Sequence, residues 1–280
     1  MCIHESVDHE VGRSCRSAQI LGGGAPPPYH RRLSGYTTRG NELIAHHKPE
    51  TYSPSVIRLV LFDIDGTLIR TNGAGVRAFE RTLEFEFQVR DGAKDVKFAG
   101  RTDPSIVRDA FALHRIPPTR EHFDRFFEAY VFWLDAVLRE SDGGACEGVL
   151  DFISELKALR HPPRIGLLTG NIRLGAEIKL RHYDLWGHYT TGAFGDEHED
   201  RNELARIAHR RGQRHVDAKL RGDEILVIGD TPLDIACANA IGARMLAVAT
   251  GGATREELRR HRPRFAVRDL AEIPADEACA

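Results

Sequence analysis

Two aspartates one residue apart, Asp63 and Asp65, close the apolar run Ile57-Arg58-Leu59-Val60-Leu61-Phe62 and are followed by Gly66 and Thr67. If the chain turns at Gly66, the two carboxylates splay around a shared centre. One can then attack an electrophile while the other handles protons. Two acids this close repel, so either one stays protonated or a cation lies nearby. A bare pair of this kind equally describes a strand ending in a solvated turn, because Asp and Gly are common turn residues. Two later stretches shift that balance. Leu167-Leu168 ends in Thr169-Gly170-Asn171, and Ile225-Leu226-Val227-Ile228-Gly229 ends in Asp230, with Asp234 four residues on.

Bringing these groups together requires three strands of one parallel sheet. Each of the three runs is short, apolar and bounded by a turn signal, as expected of a strand buried on both faces. Helical patterns separate them: about Glu147 to Leu159, 173 to 182, Asn202 to Arg211 and 232 to 241. Strands are also predicted over Tyr189 to Phe194, Met245 to Ala249 and Phe265 to Val267, and a helix over Arg255 to Arg260. Alternating strands and helices imply a parallel sheet with right-handed crossovers. Ligands bind beyond the carboxyl ends of such strands, so Asp63, Asp65, Thr169 and Asp230 share one edge. Locally, Thr169 also suits a helix cap, and Asp230 followed by Pro232 suits a helix start. Between the first two strands lies a purely helical stretch. It has an apolar stripe at Val76, Phe79, Leu83 and Phe87, a start at Thr102 or Asp103 before Pro104, and a third helix capped by Thr119.

The string Asp63-Ile64-Asp65-Gly66-Thr67-Leu68 resembles the first motif of the haloacid dehalogenase-like (HAD) hydrolase superfamily. The resemblance covers residues 56 to 270 and is closest to the phosphoglycolate phosphatase-like branch. It implies an α/β fold, a three-layer Rossmann-like parallel sheet with an inserted all-helical cap. The core would be 56–72 and 147–280, and the cap 73–146. It further implies that Asp63 is the nucleophile, Asp65 the general acid/base, and Mg2+ the cofactor. Thr169, with Gly170 and Asn171, matches the second motif and would hold phosphoryl oxygens. Gly229-Asp230-Thr231-Pro232-Leu233-Asp234 matches the fourth, making Asp230 a direct metal ligand and Asp234 a supporting one, beside Asp63 and the backbone carbonyl of Asp65. The third motif departs from the family, which carries a lysine there. Arg201 is the candidate in this chain, where only six of 39 basic residues are lysines. Arg is bulkier and not freely interchangeable with Lys. Arg101, in a loop of the cap, is a candidate substrate contact.

The implied reaction is hydrolysis of a small phosphorylated metabolite, phosphoglycolate-like, through a phosphoaspartyl intermediate. A phosphomutase of the same superfamily and a non-catalytic binding protein on this fold are the alternatives. Lys94 and Lys97 lie in a polar loop, without the apolar setting that a Schiff-base lysine needs, and Lys219 reads as a solvated charge. The formal net charge of −2 gives no electrostatic case for nucleic acid or a membrane as partner. Five cysteines without CxxC pairing argue against a zinc site or disulfide framework and fit a reducing cytoplasm. Residues 1–55 hold Gly22-Gly23-Gly24, Pro26-Pro27-Pro28 and scattered histidines. They are predicted to be a disordered extension with no apolar targeting core, and the genuine start could lie nearer Val56.

Overall fold

The computed structural model describes residues 56–216 and 219–280. The N-terminal stretch predicted to be disordered lies outside the described residues. From Val56 the chain forms β1 (Leu59–Phe62), the two-residue β2 (Ile69–Arg70), helices α1 (Ala74–Phe87), α2 (Asp103–Leu113) and α3 (Arg120–Arg139), and the two-residue β3 (Gly144–Ala145). It then alternates: α4 (Val149–Ala158), β4 (Arg164–Leu168), α5 (Arg173–His182), β5 (Thr191–Ala193), α6 (Arg201–His215), β6 (Ile225–Gly229), α7 (Pro232–Ala240), β7 (Arg244–Val248), α8 (Arg255–Arg260), β8 (Phe265–Val267) and α9 (Ala275–Cys279).

Six strands form one sheet in the order β5-β4-β1-β6-β7-β8, all parallel. The chain leaves β1 for β4 and β5 on one side, then crosses to β6, β7 and β8 on the other. The reversal of direction falls at β1, where Phe62 pairs with Leu167 of β4 and with Ile228 of β6. Such a reversal opens a crevice at the carboxyl ends of the central strands. Alternate residues along each strand serve opposite faces. Val60, Phe62, Leu167 and Ile228 pack against α4, α5 and α9. Leu59, Leu61, Leu168 and Val227 pack against α6 and α7. Together with the sheet these helices make three layers.

Between β2 and β3, helices α1, α2 and α3 enclose an apolar cluster of their own, with Phe79, Phe111, Phe126 and Leu134 buried at its centre. Phe126 of α3 meets Phe79 of α1 edge-on at a centroid distance of 4.8 Å, so aromatic packing joins these two helices. Thr119 caps α3 by accepting from the His122 N–H at 3.2 Å. The two connections to this helical unit run side by side, because β2 and β3 pair antiparallel, Ile69 with Ala145 and Arg70 with Gly144. No helix among the described residues is long and apolar enough to cross a membrane.

Several boundaries differ from those read in the sequence. Helix α4 begins at Val149, after Gly148 in the left-handed region at φ 78°, rather than at Glu147. Strand β5 spans Thr191–Ala193 alone. Helix α6 starts one residue earlier, at Arg201, because the Asp200 side chain caps it, and it runs on to His215. The residue that caps α7 is Thr231, in a reciprocal capping box with Asp234. That leaves Asp230 just outside the helix. Thr169 caps nothing, since the N-cap position of α5 is Ile172.

Gly148 fixes the return of the chain from the helical unit. A Cβ there would stand 2.2 Å from the backbone nitrogen of Ala271 and would demand a left-handed conformation of an L residue. Gly148→Ala should therefore cost about 1–3 kcal/mol of stability, the range for such strain. Urea denaturation checks this, and an unchanged midpoint would contradict it.

Candidate active site

The turn after β1 is built on one carbonyl. Ile64 C=O accepts from the N–H groups of Thr67, Leu68 and Ile69, and Gly66 adopts φ 80°. This hairpin-like turn sends the two carboxylates in different directions. Asp63 is buried at 6% exposure and faces Arg201, whose Nη2 lies 3.4 Å from its Oδ1. The Asp65 side chain remains 44% exposed and turns to the β4–α5 loop.

That loop carries the second set of predicted residues. Thr169 is fully buried, and its Oγ1 accepts from the Asn171 backbone N–H at 3.2 Å and from Asn171 Nδ2 at 2.9 Å. Asn171 Nδ2 also donates to Asp65 Oδ2 at 2.8 Å. Gly170 is the point where the helical unit touches the sheet. A Cβ on it would lie 2.0 Å from the Arg101 carbonyl oxygen. The Asp103 N–H donates to the Gly170 carbonyl at 2.8 Å, and the Ile172 N–H donates to the Asp103 carboxylate at 2.8 Å. Burial pushes the Asp103 carboxyl up to about 6, against the pull of Lys179. The Arg101 guanidinium is engaged inside the helical unit, with Asp109 at 2.6 Å and the Ser105 carbonyl at 3.2 Å. It borders the cavity with its charge already partnered.

Asp230 follows β6, and Thr67 Oγ1 donates to it at 3.2 Å. Backbone crowds its carboxylate closely: a Cβ on Gly251 would fall 1.6 Å from Asp230 Oδ2. One turn into α7, Asp234 Oδ2 accepts from the Thr231 N–H at 3.0 Å and from Thr231 Oγ1 at 2.6 Å. Its Oδ1 accepts from Arg201 Nη2. Arg201 thus bridges Asp63 and Asp234 from the first position of α6. Burial opposes its charge, but Asp234 and Asp63 together hold the guanidinium more firmly protonated than usual. Its Nε is buried without a hydrogen-bond partner among the described residues.

One carboxylate oxygen from each of Asp63, Asp230 and Asp234 lies within 4.8 Å of the other two, and all three residues are buried. Burial pushes the Asp63 carboxyl well above its ordinary value, with Arg201 working against the shift and Asp234 and Asp65 adding to it. Asp230 is raised in the same way, by burial and then by Asp234 and Asp63. A hard divalent cation with oxygen ligands is the group that this donor set fits, and Mg2+ takes few protein carboxylates beside water and phosphate oxygens.

A cavity of about 300 Å3 joins these groups. Asp63, Asp65, Asn171, Arg201 and Asp230 border it from the sheet, and Val76, Phe79, Phe98, Ile106 and Tyr130 from the helical unit. A larger cleft of about 460 Å3 around Tyr189 and Arg214 contains none of the four aspartates.

One residue at the cavity was not singled out from the sequence. Lys179 of α5 is 4% exposed and donates to Asp65 Oδ2 at 2.7 Å and to Asn171 Oδ1 at 2.6 Å. The signal was present: Lys179 falls in the buried stripe Ala176, Lys179, Leu180. Residues three and four apart share a helix face, and lysine is rarely buried unless paired.

A profile of the haloacid dehalogenase-like hydrolase family matches residues 60–239. Pyrophosphatase PpaX of Bacillus pumilus (strain SAFR-032) is 24% identical over 79% of this chain and 96% of its own length. Among solved structures, a HAD hydrolase of family IA, variant 3, from Entamoeba histolytica aligns with a TM-score of 0.63 at 19% identity, over 80% of this chain and 98% of that one. A predicted phosphoglycolate phosphatase from Haemophilus somnus 129pt aligns with a TM-score of 0.60 at 16% identity, over 77% and 96%.

Two predictions follow from the electrostatics. Asp63 and Asp230 have folded-state pKa values raised above their unfolded values, so the folded chain binds more protons and its stability falls as pH rises through that interval. In chelator, the thermal midpoint should therefore drop between about pH 6 and about pH 8, on the acid side of which these groups are protonated. Added Mg2+ should raise the midpoint more at the higher pH. A midpoint that rises with pH in chelator would contradict the prediction. Separately, Arg201→Met leaves Asp234 and Asp63 without their buried cation and should cost about 3–5 kcal/mol in chelator. Arg201→Lys should recover part of that loss, as measured by urea denaturation.

Proposed function

The chain belongs to the haloacid dehalogenase-like hydrolases and is a phosphatase of that family, and from that premise we propose that it is a Mg2+-dependent phosphomonoesterase working through a phosphorylated Asp63. The observation that carries the reading is the splay of the first two aspartates. Asp63 is buried beside Arg201, while Asp65 is held on the other side of the same cavity by Asn171 and Lys179.

In the first half-reaction the Asp63 carboxylate attacks phosphorus, and the bond to the leaving oxygen breaks. Asp65 gives that oxygen its proton. In the second half, water attacks the phosphoaspartate after Asp65, now ionised, has taken its proton, and inorganic phosphate leaves. Arg201 and the Thr169–Asn171 loop hold and neutralise the transferred phosphoryl oxygens. Asp63, Asp230, Asp234 and the Asp65 carbonyl would hold Mg2+, which supplies positive charge to the phosphoryl group as its negative charge redistributes. The α1–α3 unit acts as a cap, with the paired β2–β3 connections as its hinge, and its closure excludes water from the reacting centre.

The substrate is a small phosphorylated metabolite, which suits a cavity of about 300 Å3 whose cap side is largely apolar. Phosphoglycolate-like compounds are the first candidates. The relatives named pyrophosphatase PpaX, at 24–25% identity, add inorganic pyrophosphate. Hydrolysis of an aryl phosphate should require Mg2+, stop in EDTA and be abolished by Asp63→Asn. Turnover equal in wild type and Asp63→Asn would end the phosphoaspartyl reading, and a screen of phosphoglycolate, pyrophosphate and sugar phosphates would rank the substrates.

A further inference from the structure

Lys179 has no role in the mechanism as written so far, yet it is the one buried lysine among the described residues. Burying an ammonium is costly unless every donor is partnered. Two of its three N–H groups are spent on Asp65 Oδ2, 2.7 Å away, and on Asn171 Oδ1, 2.6 Å away. Asn171 closes the ring by donating from Nδ2 to the same Asp65 Oδ2 at 2.8 Å, and it is itself fixed by Thr169 Oγ1 at 2.9 Å. All three supporting residues come from one strand–loop–helix unit, β4 to α5. The arrangement is therefore carried by the sheet side of the cavity.

The two oxygens of Asp65 are made unequal by this ring. Oδ2 accepts from two N–H donors, which occupies both of its lone-pair directions. No described residue donates to Oδ1, and the side chain stays 44% exposed toward the cavity. We propose that Lys179 is a positioning residue for Asp65. With Asn171 it pins Oδ2, fixes the rotation of the carboxylate and presents Oδ1 as the oxygen that passes the proton to the leaving group. The inference rests on the acid/base role of Asp65 proposed above.

Leaving-group dependence tests it. An alkyl phosphate needs its leaving oxygen protonated, whereas an activated aryl phosphate such as the nitrophenyl ester does not. Lys179→Met keeps the apolar stem and removes the ammonium. Its kcat/KM on the alkyl phosphate, which reports the half-reaction that expels the leaving group, should fall by about 100-fold, the lower end of what a positioned proton donor contributes, with a much smaller loss of kcat/KM on the aryl ester. Methylammonium added to Lys179→Ala should restore part of the alkyl activity. If Lys179→Met and Lys179→Ala do not fold, Lys179→Gln, which keeps N–H donors at this position without the charge, should show the same asymmetry more weakly. Equal losses on both esters, without amine rescue, would mean that Lys179 only supports the fold and would overturn the proposal. So would a rise in KM confined to substrates with an anionic leaving group, which would make Lys179 a substrate contact. Wild-type turnover no higher than that of Asp63→Asn would remove the phosphatase reading itself, and the proposal with it.

Discussion

Charge crowding at the carboxyl ends of the neighbouring strands β1 and β6 is the constraint on which the rest of the structure depends. Asp63, Asp230 and Asp234 place carboxylate oxygens within 4.8 Å of one another in a buried setting. At an effective dielectric near 20, two unit charges at that separation repel by about 3 kcal/mol. One guanidinium cannot offset three such pairs. The fold meets the problem in two ways. Arg201 is driven into the cluster from the start of α6, and Asp63 and Asp230 are pushed toward their protonated forms. What remains is a demand for further positive charge, which a divalent cation and the donors facing a phosphoryl group would meet. An apolar core of similar volume would be at least as stable, so the cluster is explained by chemistry rather than by stability.

The architecture serves that crowding. Reversal of the strand order at β1 puts the ends of β4, β1 and β6 side by side, and the loops leaving them need only a few residues to converge. Where backbone must come close, side chains are absent. Gly251 packs on the Asp230 carboxylate, and Gly170 abuts the Arg101 carbonyl of the helical unit. The second of these contacts matters for the link between the two parts. Asp103 ties the helical unit to the β4–α5 loop through the Gly170 carbonyl and the Ile172 N–H, so the helical unit and the loop that carries Asn171 are physically linked.

Much of this was legible in the sequence because it rests on local patterns. Apolar runs ending in Asp63, Thr169 and Asp230 mark buried strands and their chemically active ends, and the helix starts at Thr102 and Thr119 carry their own capping signals. The features that escaped are those whose local signals are absent or incomplete. Strands β2 and β3 have two residues each and cannot express a period. Arg101 borders the cavity as expected of its loop, but its partner Asp109, two helical turns on, is evident only once α2 is folded. Lys179 was passed over because α5 was read as a crossover helix. A lysine in an apolar stripe becomes informative only when the carboxylate that it meets, 114 residues earlier in the chain, is known.

The place of Arg201, proposed to stand where the family carries a lysine, gains a physical account from this geometry. An ammonium is a compact, strongly hydrated charge, whereas the guanidinium is delocalised and more weakly hydrated, which suits a buried position between two acids. Arg201 Nη2 reaches both Asp63 and Asp234, coupling the first acid of β1 to the first turn of α7. Lysine chemistry reappears at Lys179, on the opposite side of the cavity, where a single acid and an amide need a point charge. The two buried cations thus divide the acids between them. Arg201 takes those grouped around the proposed metal position, and Lys179 takes Asp65, the proposed acid and base. The arginine at position 201 and the lysine at position 179 therefore form one division of the buried acids between two cations.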